Sequence, residues 1–194
     1  MSKKPIMLAL EPRIMFDGAM VSDLASAPDL TDDPILSVIS LDENQPYKEK
    51  KSPYEVVVID TSIANYREIL SSVGSDADIL TLQQGAELSD IPLLLADYKN
   101  IDALHIFSHG GVGALQIGSS FYDRSNIRES KENLAKIGSK MSEAGDILLY
   151  GCNIAANGDG VSFVDMFSEM TSADVAASDD ITGNKNRGGD WHLE

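Results

Sequence analysis

Glu55-Val-Val-Val-Ile59, followed directly by Asp60, contains four consecutive β-branched apolar residues. Such a run is typical of a strand that is buried on both faces of a sheet. Similar runs of strand length lie at 78–82, 103–107, 146–150 and 174–177. The segments between them predict helices over 61–73, 86–98, 126–141 and 160–171, and a small hairpin over 115–117 and 120–122. Because strands that alternate with helices are joined by right-handed crossovers, we predict an α/β fold, a three-layer sandwich with a mainly parallel sheet and flanking helices.

The first 52 residues differ in kind from the rest of the chain. They hold five of the seven prolines, several Asp and Ser residues, and no long periodic segment. We therefore divide the chain into an N-terminal segment over 1–52 and a folded domain over 53–194. Met1-Ser-Lys-Lys is followed by only six residues before Glu11 interrupts the apolar stretch, so we expect no general secretory signal at this end.

Composition excludes several classes of function. The chain carries 15 basic and 31 acidic residues, a net charge of −16, which disfavours nucleic acid as a partner. No apolar run reaches the roughly 18 residues that a membrane span needs. The single cysteine, Cys152, excludes an intramolecular disulfide and any multi-thiolate metal site. A metal site built from His105, His109 and acids is weakly supported because no ligand spacing recurs, so we expect neither metal nor cofactor.

Chemistry-bearing residues follow two successive predicted strands. Ser108-His109-Gly110-Gly111 comes after the third strand, and Gly151-Cys152-Asn153 comes after the fourth. If these strands are neighbours, about 5 Å apart, His109 and Cys152 can face one cleft at the sheet edge. His109 could then activate the thiol and later protonate a leaving amine. Taken singly, a buried Cys or His is more often structural, but the pair at successive strand ends favours chemistry.

Two motifs resemble the caspase-like cysteine peptidases of clan CD, in which a His-Gly follows one strand and a Cys follows the next. They are Ala103-Leu-His-Ile-Phe-Ser-His-Gly110 and Asp146-Ile-Leu-Leu-Tyr-Gly-Cys-Asn153. Residues 54–193 are also similar to a domain family found near the N-termini of giant bacterial RTX-type adhesins and cadherin-repeat surface proteins. Its shared motifs are Leu10-Glu-Pro-Arg-Ile-Met-Phe-Asp-Gly18, Ala177-Ser-Asp-Asp-Ile-Thr-Gly183 and Gly188-Gly-Asp-Trp191.

The resemblance implies a caspase-like fold and a cysteine peptidase. Cys152 would be the nucleophile, His109 the general base and acid, and the N–H groups of Gly110 and Cys152 the oxyanion hole. It also implies a secreted or cell-surface bacterial protein, exported through a C-terminal signal that this chain lacks.

The resemblance further implies a charged pocket for the residue before the scissile bond. An acidic pocket would select Arg, and Asp179 and Asp180 after the fifth strand are preferred to Asp60 after the first. The alternative is that Asp179 and Asp180 begin a turn while Asp60 caps a helix.

Arg13 lies about 40 residues before the first strand, and a flexible linker of that length spans roughly 30–40 Å. The chain's own N-terminal segment is therefore a candidate substrate, with cleavage between Arg13 and Ile14. Alternatively, the Leu-Glu-Pro-Arg motif docks an export component or completes the fold. For the whole domain, a transpeptidase and a non-catalytic module that binds its own motif or a protein partner remain open.

Overall fold

A computed structural model describes residues 53–183 and 191–193. In chain order the elements are β1 (Glu55–Asp60), α1 (Tyr66–Ser72), β2 (Asp78–Leu82), α2 (Ile91–Leu94), β3 (Ile101–Phe107), β4 (His109–Gly111), β5 (Ala114–Ile117), β6 (Ser120–Asp123), α3 (Lys131–Gly138), β7 (Met141–Tyr150), α4 (Asn157–Thr171) and β8 (Asp174–Ala177). Short 3-10 helices, Leu88–Asp90 and Ile127–Ser130, precede α2 and α3.

Five strands form one parallel sheet in the order β2-β1-β3-β7-β8. Every pair of neighbours in it runs parallel, with Val57 opposite His105 and Phe107 opposite Tyr150. The strands β4, β5 and β6 form a separate antiparallel sheet of three strands. The prediction of a mainly parallel α/β sheet is thus confirmed.

Alternate residues of the central strands point to two different apolar layers. Val58, Ile106 and Leu149 face the larger core, together with α2, α3 and α4. On the opposite face, Phe107 and Tyr150 belong to a smaller cluster that α1 covers. Helices on both faces of one sheet give the predicted three-layer sandwich.

Prediction and structure differ at several helix boundaries and at the starts of β3 and β7, which begin two and five residues before the predicted 103 and 146. The predicted helix over 61–73 begins only at Tyr66, because the N–H and Oγ1 of Thr61 both bond the Leu82 carbonyl and so tie β1 to β2. The predicted helix over 86–98 is one α-helical turn, and Pro92 in its first turn is consistent with an α-helix that cannot begin further upstream.

The predicted helix over 126–141 is also shorter than expected. Its first residues form a 3-10 helix and α3 ends at Gly138. Met141 instead begins the long strand β7 and pairs with Ile101. Among the described residues, no helix combines the length and the apolar character that crossing a membrane requires.

Candidate functional site

His109 and Cys152 leave neighbouring strands at the same level. Phe107, the last residue of β3, is in register with Tyr150, the last residue of β7. The Ser108 N–H continues the pairing by donating to the Tyr150 carbonyl at 3.0 Å. His109 is the second residue after the end of β3, and Cys152 is the second residue after the end of β7. Both therefore lie at the carboxyl edge of the sheet, where α/β folds bind ligands.

Two glycines bring the backbones around these residues into contact. A Cβ atom on Gly110 would lie 2.6 Å from Ile154 Cγ1 and 2.9 Å from the carbonyl carbon of Gly151. A Cβ atom on Gly151 would lie 3.2 Å from the Gly110 nitrogen. Distances under 3.0 Å cannot be tolerated without movement, so the close approach of the His109 and Cys152 loops depends on glycine.

The antiparallel sheet continues directly from His109. Its first turn, Val112-Gly113, is a two-residue hairpin loop in which Gly113 has a φ of 64° and donates its N–H to the Ile154 carbonyl at 3.1 Å. A two-residue loop makes Gly111 and Ala114 the hydrogen-bonded pair of the ladder. The next pair, Gly110 and Leu115, then exchanges no ladder bonds, because hydrogen-bonded and non-bonded pairs alternate.

Among the described residues, two backbone N–H groups beside these loops have no ladder or turn acceptor. The N–H of Gly110 faces away from β5, toward Gly151. That of Cys152 has no acceptor within 53–183 and 191–193. Paired N–H donors at a strand end are suited to stabilising a developing oxyanion.

The thiol of Cys152 is half-buried beside the segment that follows β8. Its Sγ lies 3.9 Å from the Thr182 carbonyl oxygen. This segment is fixed to the cysteine loop, because Asn153 N–H donates to the Asp180 carbonyl at 2.6 Å and Ala155 N–H donates to Ser178 at 2.9 Å. His109 is exposed, and in the described part of the chain no hydrogen bond links it to the thiol.

The three candidate pocket acids differ in their surroundings. Asp60 is fully buried, and its two carboxylate oxygens accept the N–H groups of Ser62 at 2.8 Å and Gly118 at 2.7 Å. It therefore joins the end of β1 to the turn between β5 and β6, and is not open to a ligand. Asp179 and Asp180 are exposed and belong to the segment that contacts Cys152. Arg13 and Ile14 lie outside the described residues.

His105 is a core residue on the α1 face of the sheet. Its ring stacks on Tyr150, and its Nδ1 lies 3.3 Å from the Tyr150 hydroxyl. Glu55 Oε2 lies 3.9 Å from Nε2, which favours a charged ring, but burial outweighs it and lowers the pKa of His105 to about 4. Within the described ranges, no group of three or more His, Cys, Asp or Glu residues could hold a metal ion.

Two features of this site carry no signal in the sequence pattern, and a third is signalled only by a motif. The strand β4 is a His-Gly-Gly sequence with low strand propensity, and its pairing depends on the hairpin partner. The Thr182 contact is made by a backbone carbonyl, which no residue type reveals. Trp191 packs against Phe107 and Tyr150, the last residues of β3 and β7, with ring centroids 5.9 and 6.3 Å away. The Gly-Gly-Asp-Trp motif was the available hint of that last contact.

Comparison with known proteins identifies a family. No curated protein matches this chain. Residues 56–194, well over half of the 194 residues, match the model of a family described as a domain of unknown function, DUF4347. The chain therefore belongs to the DUF4347 family.

Proposed function

We propose that this domain is a caspase-like cysteine peptidase with Cys152 as nucleophile and His109 as general base and acid. One observation carries the proposal: Gly110 and Gly151 touch, which draws together the loops that hold the imidazole and the thiol. The missing hydrogen bond between His109 and Cys152 does not oppose it, because such bonds often align only when substrate is bound.

The first chemical step would form a thioester. Cys152 Sγ attacks the carbonyl carbon of the scissile peptide bond as its proton passes to His109. The negative charge that develops on the carbonyl oxygen is held by the N–H groups of Gly110 and Cys152. His109 then gives the proton to the leaving amine, and the carbon–nitrogen bond breaks.

The second step would release the acyl group. A water molecule, deprotonated by His109, attacks the thioester, and the proton returns to the departing Cys152 thiolate. If an amine replaces water, the same step makes a new peptide bond and the domain acts as a transpeptidase.

Selectivity for Arg before the scissile bond would come from Asp179 and Asp180. Both are exposed acids in the segment whose Thr182 carbonyl touches the Cys152 thiol, so a guanidinium beside them would stand next to the reacting centre. Asp60 is left out of this pocket because it is buried and its oxygens are engaged.

The substrate we propose is the chain's own N-terminal segment, cleaved after Arg13. We further propose that the domain acts near the N-terminus of a large exported bacterial adhesin, as the sequence resemblance implies. Export would then depend on a C-terminal signal.

Intact mass spectrometry over time tests the peptidase. The wild-type chain should lose the mass of Met1–Arg13, whereas Cys152→Ala, His109→Ala and Arg13→Gln should stay whole. His109→Ala is informative because the side chain is exposed and its loss should leave the fold intact. If the wild type stays whole with added calcium and also fails to cleave Arg-ended test peptides, the proposal is wrong.

One observation favours a second candidate, a non-catalytic binding module. The Cys152 thiol is half-buried and contacts the Thr182 carbonyl of its own chain. Alkylation with iodoacetamide separates the two functions, since every adduct reports on the single cysteine. Fast alkylation at neutral pH that slows in His109→Ala supports the peptidase, and a thiol that reacts only after unfolding supports the binding module.

A further inference from the structure

One face of the antiparallel sheet places an exposed aromatic residue in line with His109. His109 on β4 lies opposite Gln116 on β5, and Gln116 lies opposite Phe121 on β6. Residues directly opposite one another project from the same face, so these three side chains form one row across the sheet. The other face, with Leu115 and Ile117, is buried in the core.

Phe121 is the apolar end of this row. Its side chain is 58% exposed, whereas Gln116 is half-buried and donates its Nε2 hydrogen to the Gly118 carbonyl at 3.0 Å. A single exposed apolar residue is ordinary on a protein surface. What distinguishes Phe121 is its alignment with the residue that would protonate the leaving amine.

The register fixes how far Phe121 lies from His109. His109 and Gln116 form a hydrogen-bonded pair, with Cα atoms about 5.5 Å apart, and Gln116 and Phe121 a non-bonded pair, about 4.5 Å apart. The row therefore spans about 10 Å. An extended peptide advances about 3.3 Å per residue, so a substrate crossing the row from His109 brings its third residue after the scissile bond to Phe121.

We propose that this row is the leaving-group side of the cleft and that Phe121 binds an apolar residue three positions after the cleaved bond. The occupant we assign is this chain's own Ile14-Met15-Phe16, with Phe16 on the Phe121 ring. The inference rests on the proposed cleavage after Arg13. Thirty-six residues lie between Phe16 and the folded domain, and a flexible chain of that length would span roughly 30–35 Å, comparable with the diameter of a domain of this size.

A docking experiment that needs no cleavage comes first. In the full chain carrying Cys152→Ala, the photo-crosslinker p-benzoyl-phenylalanine replaces Phe16, and crosslinked peptides are mapped by mass spectrometry. We expect an intramolecular crosslink to the segment 114–123, and none there when the crosslinker replaces Leu24 instead. Crosslinks that map elsewhere, or none at all, would overturn the inference whether or not the wild type is an active peptidase.

A rate experiment then tests the specificity role. Phe121→Ser and Phe16→Ser should each slow release of Met1–Arg13 about tenfold, and the two together should slow it little further, because they remove one contact. Leu93→Ser is the matched control, since Leu93 is 71% exposed on α2. Equal rates for Phe121→Ser and wild type would overturn the inference and leave the peptidase intact. A crosslink without any cleavage would support the docking and overturn the peptidase.

Discussion

Gly110 and Gly111 are adjacent in the chain but differ in the space around them. A Cβ atom on Gly110 would meet Ile154 and Gly151, whereas one on Gly111 would meet nothing within 4 Å. We expect Gly110→Ala to lower the free energy of unfolding by about 1–3 kcal/mol, as overpacking does, and Gly111→Ala to leave it nearly unchanged. Urea denaturation of both variants measures this. Equal midpoints would show that the two loops do not touch as described.

His105 gives the fold a pH dependence whose sign can be worked out. Burial lowers its pKa from 6.5 to about 4, so below pH 6.5 the unfolded chain binds a proton that the folded chain refuses. Stability is therefore complete above pH 6.5 and falls as the pH drops toward 4. Between pH 7 and pH 5 the loss is about 2 kcal/mol.

Thermal denaturation at pH 7 and pH 5 checks this dependence, with His105→Phe as the control. Phe keeps a ring against Tyr150 and removes the titrating group, while Glu55 remains in both proteins. The difference in Tm between the two pH values should shrink in the variant. An unchanged difference would mean that other groups cause the acid sensitivity.

At the scale of elements, Asp60 joins two parts of the fold that have no strand pairing between them. Its carboxylate holds the N–H of Gly118, in the turn between β5 and β6, to the end of β1. Asp60→Ala leaves that N–H and the N–H of Ser62 without acceptors, so we expect a loss of about 2–3 kcal/mol. Hydrogen exchange should accelerate most in β5 and β6. Uniform acceleration across the parallel sheet instead would contradict this role.

The strands were predictable because their signal is local. Each central strand contains a short apolar run, as in Val56–Ile59 of β1 and Ile147–Tyr150 of β7, and β8 has the predicted bounds, Asp174–Ala177. The helix ends and β4 were not predictable in the same way. They depend on partners that are distant in sequence. The start of α1 depends on the Leu82 carbonyl, which accepts hydrogen bonds from Thr61, and β4 depends on Gln116, which pairs with His109. The placement of His109 and Cys152 followed from strand order, whereas the Thr182 carbonyl beside the thiol is backbone and left no trace in residue type.

At the scale of the whole molecule, the antiparallel sheet determines which part of the sheet edge is open. In the order β2-β1-β3-β7-β8, β2 lies on one side of β1 and the later strands on the other, so the strand order switches between β1 and β3, where ligands usually bind in such folds. Here the buried pair of Asp60 and Gly118 closes that position. The carboxyl edge beyond β3 and β7 remains available for a ligand, and it holds His109, Cys152 and the segment after β8. The topology thus gives the proposed chemistry a different location from the usual crevice.

Tethering of the substrate leads to a prediction about the order of the cleavage reaction. Under the proposed self-cleavage, about 40 residues tether Arg13 to the domain, and a flexible tether of that length would give an effective concentration in the millimolar range. Self-processing should therefore be first order, with a rate that does not change between about 1 and 100 μM chain, because both concentrations lie far below that of the tethered site. Mixing wild-type chain with a tagged Cys152→Ala chain provides the control, since the tagged chain can be cut only by another molecule. With each chain at 10 μM, the tagged chain should lose Met1–Arg13 at least tenfold more slowly than the wild type processes itself. The reason is that 10 μM lies far below the millimolar effective concentration of the tethered site. A rate that rises in proportion to concentration, with equal cleavage of the tagged chain, would show that Arg13 does not reach its own active site.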